Sequence, residues 1–125
     1  MTAIVHKHLI VRAEVENPPV NEDFVRSWMT ELIDAIGMKV LMGPFAKYLD
    51  VVGNRGITTV AIIETSHIAM HVWDEDNPSL IQLDVYTCGP LDINIVVEKI
   101  KQFKPVKVEM KYLDRENGLT ELPLN

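Results

Sequence analysis

The chain has 125 residues, 47% hydrophobic and 24% charged, which fits one globular domain over 1–125 and excludes disorder and low complexity for most of its length. The formal charge of −6 repels duplex nucleic acid, and no basic patch offsets it. No apolar run reaches the roughly 20 residues that cross a bilayer, no secretory signal opens the chain, and the single Cys88 cannot form an internal disulfide, so a cytoplasmic protein with a free thiol is expected.

Residues 4–15, β-branched and partly alternating, predict a strand that Asn17-Pro18-Pro19 breaks. Asn21 is a good helix N-cap, with Glu22 and Asp23 in the first turn, where the helix dipole favours anions. Phe24, Val25, Trp28, Met29, Leu32, Ile33 and Ile36 then recur at helical spacing, and Gly37 supplies a left-handed stop. Strand-like segments follow at Met38–Met42 and Ala46–Val52, then a turn cluster at Gly53–Gly56 and a strong strand at Ile57–Ile63. Ser66–Trp73 and Leu80–Tyr86 read as a hairpin around residues 74–79. A second helix is expected over about Leu91–Phe103, with Ile93, Val96, Val97 and Ile100 as its buried stripe. Pro105 stops it, Val106–Tyr112 is the last strand, and a polar, mobile tail is expected from Asp114 onward. Two helices with one apolar stripe each, beside five or six strands, imply an α+β two-layer sandwich: a mostly antiparallel sheet with both helices on one face. Apolar residues on the other face would call for a homodimer.

Strand alternation sets the register of the hairpin. Matching its apolar faces puts Val72 opposite Ile81, Met70 opposite Leu83 and Ile68 opposite Val85. His71 then pairs with Gln82, His67 with Tyr86, and Cys88 comes opposite Thr65, next to Ser66. The expectation is that a hydroxyl, a thiol and two imidazoles converge on one end and one face. Three chemistries suit such a cluster. His67-x-x-x-His71 on a strand spans about 13 Å at 3.3 Å per residue, too far to share one metal. A Cys/His nucleophile pair is allowed, though no oxyanion-hole loop is recognisable. The third reading is structural, with the thiol as a small hydrophobe and the histidines as satisfied polar groups.

The stretch Glu64-Thr-Ser-His-Ile-Ala-Met-His-Val-Trp-Asp-Glu75, followed by Asp84-Val-Tyr-Thr-Cys-Gly89, resembles the prokaryotic S-adenosylmethionine decarboxylase family. That family carries Glu-Ser-His-x-x-x-His-Thr-Trp-Pro-Glu and then Asp-x-x-x-Cys-Gly. Gly56-Ile-Thr-Thr59 is similar to its Gly-Val-Ser/Thr-Gly, and His8-Leu-Ile to its Gly-x-His-Leu start. The order of elements agrees over roughly residues 4–112. The resemblance implies a self-processing, pyruvoyl-dependent enzyme that decarboxylates S-adenosylmethionine to make the aminopropyl donor for spermidine synthesis. Ser66 Oγ would attack the Thr65 carbonyl, and elimination and hydrolysis would leave a pyruvoyl group at Ser66, splitting the chain into 1–65 and 66–125. Decarboxylation needs such an electron sink; neither a metal nor pyridoxal phosphate is expected. By the same resemblance His71 and Thr58 assist processing, and Cys88 donates the proton during decarboxylation. Glu64, His67, Trp73 and an aromatic residue, Tyr48 in preference to Phe45, serve the substrate. The family is usually a dimer with sites shared between subunits; from the charge and the lack of a spanning run, neither a nucleic-acid nor a membrane partner is expected.

This sequence departs from the pattern. Thr65 stands where the family has Glu, and the acid lies one place earlier, as Glu64. Thr59 replaces a glycine, and Thr-Trp-Pro-Glu becomes Val72-Trp-Asp-Glu75. Two alternatives stay open: a pyruvoyl-dependent decarboxylase of a basic amino acid such as ornithine or arginine, or an unprocessed, non-catalytic member that binds a ligand or partner.

Overall fold

A computed structural model describes residues 5–124. The elements in chain order are β1 (Lys7–Val15), α1 (Glu22–Ala35), β2 (Val40–Leu49), β3 (Gly56–Ile63), β4 (Ser66–Trp73), β5 (Ser79–Thr87), α2 (Ile93–Lys101), β6 (Pro105–Asp114) and β7 (Glu121–Leu122). The strands form one sheet in the order β2-β3-β4-β5-β1-β6-β7. Every neighbouring pair is antiparallel.

Local chemistry explains both helices. The Asn21 side chain accepts from the Phe24 amide at 2.9 Å, which satisfies one of the free donors of the first turn. At the other end Gly37 has φ +77°. Its amide and that of Met38 return to the carbonyls of Asp34 and Ile33, closing the α1 end in a Schellman-like arrangement that a side chain at Gly37 would strain. Asp92 caps α2 through the Asn94 amide, and Lys99 and Lys101 lie in its last turn, where the dipole favours cations.

The core lies between the helices and the sheet. Val25, Trp28, Met29, Leu32 and Ile33 of α1 and Ile93, Val96 and Ile100 of α2 are buried. They meet Leu9, Val11 and Ala13 of β1, Ile68, Met70 and Val72 of β4, and Ile81, Leu83 and Val85 of β5. Trp28 ties the helices together: its indole N–H donates to the Lys99 carbonyl at 3.2 Å, and its ring lies 5.2 Å from that of Phe103.

Three expectations are corrected. The two segments expected at Met38–Met42 and Ala46–Val52 are one strand, β2, whose pairing with β3 is irregular between Val40 and Phe45. Gly43 and Pro44 look like a break in sequence, but the irregular register absorbs them without ending the strand. The first strand begins at Lys7, not at residue 4; residue 4 of the expected segment lies outside the described residues. The segment from Asp114 does not trail free: β7 pairs with β6, Arg115 N–H reaches the His6 carbonyl, and the Glu116 carboxylate accepts from Lys7 Nζ at 2.5 Å.

Candidate active site

The β4–β5 hairpin adopts the register that alternation implies, with His67 opposite Tyr86, Ile68 opposite Val85 and His71 opposite Gln82. Beside it, β3 pairs with β4 so that Ile63 faces Ser66 and Thr58 faces His71. Glu64 and Thr65 alone make the β3–β4 turn, and Thr65 takes φ +58°. That left-handed conformation suits glycine or asparagine; a β-branched residue there carries strain.

Three donors converge on one carbonyl at this turn. The Glu64 carbonyl oxygen accepts from Thr65 Oγ1 at 2.8 Å, Ser66 Oγ at 3.2 Å and Cys88 Sγ at 2.9 Å. Sequence reasoning placed Cys88 beside Ser66, and both do meet here. The expectation of one shared face fails. Ser66 has the parity of Ile68 and Met70 and is only 8% exposed, on the side that carries the helices. His67 and His71 point to the open face and are exposed. His71 is also five residues along β4, roughly 16 Å from Ser66 at strand rise.

His71 has its own partner: Nδ1 lies 3.0 Å from Thr58 Oγ1 across the β3–β4 ladder. The substrate candidates separate. Phe45 is on the open face, beside Val60, and is 54% exposed. Tyr48 has the opposite parity and packs against the core. Its hydroxyl donates to Asp74 Oδ2 at 2.7 Å, and that bond, with burial, holds the phenol above its ordinary pKa. Trp73 and Glu75 organise the β2–β3 turn. The indole N–H donates to Asn54 Oδ1 at 2.9 Å, and the Glu75 carboxylate accepts from the amides of Gly53 and Arg55. Those two amides hold the Glu75 carboxyl below its ordinary pKa. Tyr48, Trp73 and Glu75 thus lie at the end of the sheet away from Ser66.

The motif glycine and its neighbour have packing reasons. A Cβ on Gly56 would come within 1.7 Å of the Val72 carbonyl oxygen, so only glycine fits. Thr59 is fully buried, and its hydroxyl donates to the Phe45 carbonyl at 2.7 Å. It thereby pins the irregular part of β2 that carries Phe45.

One cluster escaped sequence reasoning. On the open face, two residues from Cys88, Tyr86 collects His6, His8, His67 and Arg115. His6 Nδ1 is 2.9 Å from the phenol oxygen, and the Arg115 guanidinium lies 4.0 Å from the ring centroid. His8 Nε2 is 2.5 Å from Asp84 Oδ1. The spacings His6-x-His8 and Asp84-x-Tyr86 were a signal, but their pairing depends on β1 lying beside β5, which periodicity does not reveal. Among the described residues, no group of three or more His, Cys, Asp or Glu side chains is placed to hold a metal ion.

The family described as S-adenosylmethionine decarboxylase matches residues 7–116. Curated relatives called S-adenosylmethionine decarboxylase proenzyme include one from Pyrobaculum arsenaticum, 37% identical over 67 residues, covering 50% of this chain and 50% of the relative. Another, from Thermococcus onnurineus, is 31% identical over 101 residues, covering 75% and 67%. A third, from Thermococcus kodakarensis, is 34% identical over 84 residues, covering 66% and 54%. The chain thus spans about half to two thirds of the length of these relatives. The crystal structure of adenosylmethionine decarboxylase from Aquifex aeolicus has the same fold, with a TM-score of 0.69 at 20% identity over 99% of both chains.

Proposed function

The chain belongs to the S-adenosylmethionine decarboxylase family, and from that premise we propose that it is a self-processing proenzyme that decarboxylates S-adenosylmethionine. The observation that carries this reading is the strained β3–β4 turn, where two hydroxyls and the only thiol bond to one carbonyl. These residues fit the pyruvoyl group that the family implies. A serine with its hydroxyl held at the turn can become the ketone, and strain at the residue before it favours rearrangement of the peptide. When present, that ketone supplies the electron sink for the charge left when carbon dioxide departs.

The chain's own residues do the rest. Cys88 sits within hydrogen-bond reach of the same turn and holds the proton that the decarboxylated carbon takes up. Phe45 offers an exposed aromatic face for a sulfonium or an adenine; Tyr48 keeps its hydroxyl on Asp74. His67, on the open face with its ring 5.4 Å from that of Tyr86, and Glu64 border the entry to the turn. Trp73 shapes the far end through Asn54.

Thr58 and His71 form the proton-transfer pair for processing, and one chain does not bring them to Ser66. A homodimer does so in this reading. The open face carries exposed Met42, Phe45, Leu49, Val60 and Ile62, an apolar area of the kind that marks an interface. A second copy packed over it delivers its Thr58–His71 pair to the first copy's turn. The product is the aminopropyl donor of spermidine synthesis, and the free thiol suits the cytoplasm.

The test is carbon dioxide release from carboxyl-labelled S-adenosylmethionine, with ornithine and arginine as competitors. Release from S-adenosylmethionine that falls at least a hundredfold in Cys88→Ala is expected. Release from ornithine or arginine alone selects the basic amino acid reading, and no release from any of the three overturns the decarboxylase reading.

A further inference from the structure

We propose that Thr59 is a positioning residue for the substrate: its buried hydroxyl fixes the Phe45 backbone from the helix side of the sheet and so aims the Phe45 ring, on the open side, at the cationic nucleoside. This rests on the proposed function and on Phe45 as its aromatic contact, and it adds a residue that touches no substrate.

Burial sets the first constraint. Thr59 is fully buried on the core side of β3, at a position where the family pattern has glycine. A hydroxyl taken out of water needs a hydrogen-bond partner, and one left without it is destabilising. Thr59 Oγ1 has two acceptors in reach, the Phe45 carbonyl oxygen at 2.7 Å and Met29 Sδ at 3.9 Å. A hydroxyl donates one proton and a thioether is a weak acceptor, so the proton goes to the carbonyl. Glycine cannot make this bond, so the device belongs to this chain.

Strand geometry sets the second constraint. Phe45 pairs with Val60 and Ala46 with Thr59. Val60 faces the open side and Thr59 the core, so the ring and the bond that holds its carbonyl lie on opposite faces. The β2–β3 register shifts between Met42 and Phe45, and such a break leaves the ladder locally disrupted. The Thr59 hydroxyl supplies a hold where the ladder is interrupted. On the other side of Phe45 the chain is crowded: a Cβ on Gly43 would come within 3.1 Å of the Phe45 amide nitrogen and the Val60 carbonyl oxygen. The backbone on both sides of Phe45 is therefore tied to β3. A ring that is 54% exposed has little packing of its own to fix it, and the Phe45–Ala46 peptide plane decides where it points. An aromatic face held ready for a cation or a base binds it without the ordering cost that a loose one incurs.

A double-mutant cycle on the full-length, processed protein tests this, with kcat and KM read from carbon dioxide release from S-adenosylmethionine. Thr59→Val keeps the shape and removes the donor; Thr59→Ala removes it with no added bulk. Each should raise KM at least about fivefold and leave kcat and the rate of chain cleavage within about twofold, and Thr59→Ser should restore KM. In a Phe45→Leu background Thr59→Val should change KM less than about twofold, because the ring it aims is gone. An unmoved KM with only a lower melting temperature makes Thr59 a packing residue and overturns the proposal. So does a KM that rises equally in both backgrounds, or one that rises only because the variant sediments as a smaller species. Phe45→Leu with the wild-type KM overturns the proposal and leaves the decarboxylase reading standing. A wild-type protein that releases no carbon dioxide overturns both.

Discussion

Thr65 stores strain in a two-residue turn where glycine would relax. Left-handed backbone costs a residue with a Cβ about 1–2 kcal/mol. Thr65→Gly is therefore expected to raise stability by about 1 kcal/mol, read in thermal melting, while chain cleavage slows because the strain is gone. A lower melting temperature would show that the turn is relaxed. Gly56 is the opposite case. Its Cβ would meet the Val72 carbonyl at 1.7 Å, so Gly56→Ala should cost at least about 2 kcal/mol through displacement of β4. An unchanged denaturant midpoint would contradict the close approach.

At the scale of elements, the β2–β3 turn hangs on acidic side chains from the end of β4. Glu75 accepts from the Gly53 and Arg55 amides, and its carboxyl is held below the usual value of 4.5. A depressed acid contributes stability above its unfolded pKa and loses it as pH falls through the folded value. Amide exchange at Gly53 and Arg55 should therefore accelerate below about pH 4.5, and Glu75→Gln should abolish that acid-dependent step. Exchange that ignores pH in this window, after correction for the intrinsic rate, would remove the role of Glu75. The β4–β5 register was legible because Ile68, Met70 and Val72 match Ile81, Leu83 and Val85 only one way. The same alternation put Ser66 with Ile68, on the face away from the histidines, so reading all four groups onto one face overrode the pleat. Two further features were not legible. The continuity of β2 depends on Thr59 bonding the Phe45 carbonyl, a contact between strands. The cluster around Tyr86 depends on β1 crossing back beside β5, which no local pattern encodes.

At the scale of the molecule, the helices cover one face of the sheet and leave the other divided. Its β2–β3 side is apolar, with Phe45, Val60 and Ile62 exposed. Its β1–β6 side is charged, with Arg12 bonded to Glu14 and Glu109. The proposed homodimer, built on the apolar side, would account for both the exposed surface and the separation of His71 from Ser66. Ile62→Glu is expected to give a monomer by sedimentation, with native circular dichroism and at least tenfold slower chain cleavage. A wild-type chain that sediments as a monomer and still processes would place the whole site within one subunit.

The most direct measurement is reductive trapping. The processed protein is incubated with S-adenosylmethionine and cyanoborohydride, and both pieces are weighed. The account predicts a substrate-derived mass added once, at the first residue of the C-terminal piece, and blocked by prior reaction of that piece with hydroxylamine. Mass added to lysines on either piece, or no addition to a cleaved chain, would contradict it.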